Sequence, residues 1–111
     1  MRQYDTIYSI AKGILEGREN IVEGIKILSD YELYQGPLSE KLDFKKTVNI
    51  FWDFNEEVES YPVSQKVRQN WSETALQIKD AMLAEIVDKY RSSLIGGCEL
   101  LIGTIDSLDN G

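Results

Sequence analysis

An all-α fold, an antiparallel bundle of four to five helices, follows from three observations. Apolar residues recur every three or four positions along most of the chain, no segment alternates apolar and polar with period two, and β-branched residues are scattered through helical patterns instead of gathering in strands. With 111 residues the chain can bury one core but not two independent ones, so residues 1–111 are read as a single helical domain. Short connections between the periodic segments should make sequence neighbours pack side by side.

The first helix is expected from about Gln3 to Glu16, with Tyr4, Ile7, Ala11, Ile14 and Leu15 at helical spacing and Gly17 just past its end. Asn20 followed by Glu23 reads as a capping box opening a second helix that carries Ile21, Ile25, Leu28 and Tyr31. Gly36-Pro37 calls for a loop, because proline disfavours helical backbone before it and cannot donate a hydrogen bond. A third helix, starting near Ser39 or Asp43, places Phe44, Val48, Phe51, Asn55 and Val58 on one stripe and must stop by Tyr61, ahead of Pro62.

Beyond Ser64, a candidate N-cap, the series Val67, Trp71, Ala75, Ile78, Met82, Ile86, Tyr90, Leu94, Cys98, Leu101, Ile105 and Leu108 keeps a helical period. As one helix it would run about 65 Å, roughly twice the width of a compact domain of this size. The fourth helix is therefore expected to break near Gly96-Gly97.

Composition narrows the chemistry. There is no histidine, which removes the commonest general base and metal ligand, and with them Ser-His or Cys-His nucleophiles. The single cysteine, Cys98, cannot form an internal disulfide and sits among apolar residues, where a buried, inert thiol is expected. The glycines Gly96, Gly97 and Gly103 lie within a helical pattern and do not match a phosphate-binding loop. No catalytic residue, cofactor or metal is expected. The N-terminus lacks the apolar core of a signal peptide, and Glu99 interrupts the longest apolar run, so a cytoplasmic protein without a membrane span is expected.

A net charge of −7 disfavours direct contact with nucleic acid or anionic lipid and favours basic partners. The charge gathers in "FWDFNEEVESYP", where Asp53, Glu56, Glu57 and Glu59 stand among Phe51, Trp52, Phe54 and Tyr61. Asp53, Glu56 and Glu57 share a helical face, but carboxylates from one helix lack the convergent ligands a hard cation requires. They fall in the last turns of a helix, where negative charge opposes the macrodipole at about 0.3–1 kcal/mol each. Local stability would favour lysine, so the acids are candidates for partner binding, with Tyr61 and Trp52 as interface-edge aromatics. The competing expectation is that Lys66 and Arg68 fold back from beyond Pro62 and neutralise them.

The segment "VRQNWSETALQIKDAMLAEIVDKYR" and the later "CELLI" resemble a family of small uncharacterised bacterial helical domains with Arg-x-x-Trp, Ala-Leu-x-x-Lys-Asp and Cys-x-x-Leu-Ile patterns. Here these are Arg68, Trp71, Ala75, Leu76, Lys79, Asp80, Cys98, Leu101 and Ile102. By size and charge the chain also resembles immunity proteins of contact-dependent growth inhibition systems. That resemblance implies neutralisation of a cognate basic toxin, such as a ribonuclease, through an acidic surface. The alternative is a helical adaptor or regulatory subunit that grips another protein in an apolar groove.

Overall fold

The computed structural model describes residues 4–110, leaving aside the side chain of Asn110. Among these residues there are six helices and no strand. They are α1 (Asp5–Leu15), α2 (Ile21–Ser29), α3 (Gly36–Lys41), α4 (Val48–Val58), α5 (Gln65–Arg68) and α6 (Glu73–Asn110). The all-helical bundle is as expected; four longer helices and two short ones, α3 and α5, bring the number to six against the four to five anticipated. The start at Gln3 lies outside the described residues.

Local chemistry accounts for most boundaries. Gly17 takes a φ of +76° after α1, where only a residue without Cβ turns easily, and the amide of Arg18 returns to the Gly13 carbonyl at 2.8 Å. The Asn20 side chain accepts the Glu23 amide at 3.1 Å and caps α2, while Ser64 caps a single turn, α5, by accepting from Val67.

The Gly36-Pro37 stretch departs from expectation. It opens the six-residue α3 instead of a loop, because a proline in a first helical turn removes an amide that would have had no partner there. The predicted third helix is consequently split. Asp43 caps a separate turn through the Lys46 amide at 3.1 Å, Phe44 is exposed, and α4 begins only at Val48. On α4 the buried residues are Val48, Phe51, Phe54 and Val58, while Asn55 is half-buried.

The expected break at Gly96-Gly97 is absent: α6 runs unbroken for 38 residues. A Cβ on Gly97 would lie 2.8 Å from the Phe51 ring and 2.9 Å from the Lys46 carbonyl oxygen. The glycine is thus a close-packing device, and burial of Leu94, Cys98 and Leu101 beside it offsets the roughly 1 kcal/mol a helical glycine costs. The length objection assumed a round molecule, whereas this one measures 52 × 27 × 23 Å.

The core gathers Ile7, Ala11 and Ile14 of α1, Val22, Ile25 and Leu28 of α2, the α4 stripe, and Val87, Leu94, Cys98, Leu101 and Ile105 of α6. Helix α4 runs antiparallel to α6. Phe51 meets Gly97, the Phe54 ring lies 5.5 Å from that of Tyr90, and Tyr61 meets Lys79. Helix α2 packs on α1 and α4, so its outer face and the end of α4 share one side of the molecule.

Candidate functional site

Trp52, Asp53, Glu56, Glu57 and Glu59 are all exposed and Tyr61 is half-buried, but the structure divides these six residues into two groups. Trp52, Glu56, Glu59 and Tyr61 line a cleft of about 640 Å³. One wall comes from Val22, Glu23, Lys26 and Asp30 of α2 and its C-cap, and another from Val63, Ser64 and Val67 of the connector and α5. Buried Val22 and Val58 contribute apolar floor. Four carboxylates, Glu23, Asp30, Glu56 and Glu59, therefore surround an apolar depression that holds one lysine, Lys26.

The α2–α4 wall is pinned by polar contacts. The Asn55 amide donates to Ser29 Oγ at 2.6 Å, and that hydroxyl donates to the Ile25 carbonyl at 2.8 Å. This explains a polar residue on the apolar stripe of α4: its side-chain amide finds a partner where the two helices touch.

Asp53 and Glu57 lie outside the cleft lining. Glu57 Oε1 is 3.6 Å from Lys89 Nζ, a long pair between solvated groups. A hydrogen bond to Glu57 pushes the Tyr90 hydroxyl pKa up to about 12, with burial and the nearby charges of Glu57, Asp53 and Glu56 adding to it. Of the predicted acids, then, Glu57 is engaged within the molecule.

Arg68 does not fold back onto the acids. Its guanidinium grips Asp80 of α6 in a two-pronged contact, Nη1 to Oδ1 at 2.7 Å and Nη2 to Oδ2 at 2.8 Å, and Nη1 also donates to the Pro62 carbonyl at 3.0 Å. This hydrogen bonding raises the pKa of Arg68 and lowers that of Asp80. Lys79 Nζ sits 5.4 Å from the Tyr61 ring centre. No ion pair among the described residues joins Lys66 to Asp53, Glu56 or Glu59. Residues of the Arg-x-x-Trp and Lys-Asp patterns thus clip the connector to α6, and Cys98 of the third pattern is buried, its thiol pushed up to about 12 by desolvation.

Sequence reasoning missed the α2 contribution. Glu23, Lys26 and Asp30 fall three and four positions apart opposite the Val22, Ile25, Leu28 stripe, and that spacing alone would have placed them on one exposed face. It also missed a surface aromatic group. Trp52 makes edge-to-face contacts with Tyr34 at 5.8 Å and Phe44 at 5.5 Å, and all three rings are more than two-fifths exposed. Outside the cleft lining, Ile78 and Met82 are exposed on α6. Among the described residues no three His, Cys, Asp or Glu side chains converge as a metal site, and no helix is long and apolar enough to cross a membrane.

Fold and site together define an acidic, all-helical protein with an apolar-floored surface cleft. No family model, curated protein or solved structure matches the chain.

Proposed function

We propose that this chain is a cytoplasmic immunity protein that binds and neutralises a basic bacterial toxin, a nuclease in the sharpest form of the reading, through its acidic cleft. One observation carries it: four carboxylates ring an apolar floor with a single lysine among them, while the arginine best placed to neutralise them is committed to Asp80. The last turn of α4 holds no basic residue, so the acids are retained against the helix dipole. Such a surface steers a cationic partner into contact and can occupy a groove that otherwise takes phosphates.

The adaptor reading keeps a foothold in exposed Ile78 and Met82, an apolar pair that does not line the acidic cleft. Capture of partners from the native host, followed by titration, separates the two. Double reversal, Glu56→Lys with Glu59→Lys, should weaken binding of a basic partner at least tenfold, about 1.4 kcal/mol, and flatten its salt dependence. Unchanged affinity sinks the acidic-cleft reading, and loss of binding in Ile78→Ser with Met82→Ser instead establishes the adaptor.

A further inference from the structure

Building on the acidic-cleft reading, we propose that what enters the cleft is a single amphipathic basic helix of the partner. Its apolar row would lie against Trp52 and Val58, and its lysines or arginines would reach Glu23, Asp30, Glu56 and Glu59.

Two features of the cleft select a helix over an extended segment. The first is backbone hydrogen bonding. The walls are helices, a turn and a connector, and no strand exists among the described residues, so no sheet edge is offered there. An extended peptide pressed onto the apolar floor would leave backbone groups without partners, whereas a helix satisfies its own.

The second is pitch. Along α4 and its C-cap, Trp52, Glu56 and Glu59 follow one another at four and three positions, and along α2 and its C-cap, Glu23 and Asp30 stand seven apart, so contact points recur at nearly whole helical turns of about 5.4 Å. Side chains on one face of an extended chain repeat at roughly 6.8 Å and fall out of step by about 3 Å after two repeats. A docked helix keeps step. Trp52 supplies the anchor, because it lines the cleft and also leans on Tyr34 and Phe44, a ring cluster that extends the apolar surface beyond the acids.

The test uses the full chain in a Trp71→Phe background, which leaves Trp52 the sole indole, with native helicity checked by circular dichroism. Calorimetry on the unsubstituted protein guards against a folding defect. The probes are a leucine/lysine amphipathic helical peptide, a scrambled peptide of the same composition without an apolar face, and a leucine/glutamate counterpart. The expected result is a saturable blue shift of Trp52 emission with the first peptide only, with affinity falling at least tenfold in Glu56→Lys with Glu59→Lys. Equal binding of the scrambled peptide overturns the helix inference and leaves the acidic-cleft reading standing. Equal binding of the glutamate peptide overturns its electrostatic basis and points to apolar docking. Binding by neither cationic peptide overturns the inference and the reading beneath it together.

Discussion

The two ends of α6 are held by different physics. From Val87 to Ile105 the helix buries Val87, Leu94, Cys98, Leu101 and Ile105, packs on α1 and α4, and is held mainly by that packing. From Glu73 to Ile86 no residue is fully buried; Leu83 and Ile86 rest half-buried on the core, and the remaining tethers are directional, the Arg68 fork on Asp80 and the Lys79 ammonium by the Tyr61 ring. Helical geometry explains the contrast. Each four-residue step overshoots a full turn by about 40°, so five such steps from Ile78 to Cys98 carry the apolar series through roughly 200°. A spacing that reads as one stripe is a spiral, and its first members face away from the core that its last members fill.

That contrast can be broken most severely in the packed half. Gly97→Ala should lose about 1–3 kcal/mol in urea unfolding, because the new methyl meets the Phe51 ring and the Lys46 carbonyl. Gly96→Ala, where a Cβ meets nothing within 4 Å, should gain about 0.5–1 kcal/mol. Equal effects at the two neighbours would remove the close-packing account.

In the outer half the expected effect is smaller and local. Arg68→Ala should raise amide hydrogen exchange across residues 61–71 and the start of α6 while the global unfolding midpoint hardly moves. A loss of protection shared with Leu94 and Leu101 would show that the two halves are not separately held.

The smallest effect lies near the outer edge of the packed half, at Tyr90, and is silent at neutral pH. Folding raises its pKa from 10.0 to about 12, so the neutral phenol is favoured in the folded state. The sign follows: the contribution is complete below about pH 10 and is lost as pH climbs towards about 12. Tyrosinate absorbance should show one late-titrating group, and Glu57→Gln should bring it back towards the ordinary range. A late group that persists in that variant would assign the shift to burial and the remaining charges of Asp53 and Glu56 instead of to Glu57.

Caps and stripes were legible in the sequence because they are local. Asn20, Ser64 and Gly17 act within four residues of themselves, and the Ile7, Ile25 and Phe51 stripes point inward as periodicity requires. Tertiary choices were not. Phe54 fell outside the chosen α4 stripe and is buried through its contact with Tyr90, and the glycine pair looked like a break because the ring that Gly97 admits comes from another helix. Of the candidate site, the sequence singled out the four carboxylates and two aromatics of the α4 end. It could not separate Glu56 and Glu59, which line the cleft, from Glu57, which meets Lys89 and Tyr90, because those partners stand some thirty residues away and are brought near only by the packing of α4 on α6.

The unbroken course of α6 makes it a lever without a pivot. A hinge at the glycine pair would let the outer arm swing while the bundle stood still. As built, a tilt at Ile78 must rock Leu94 and Leu101 in their sockets and drive Gly97 onto Phe51. A position with no side chain is thus where the helix stays continuous, and a movement of the outer arm is felt at the Gly97–Phe51 contact in the middle of the protein.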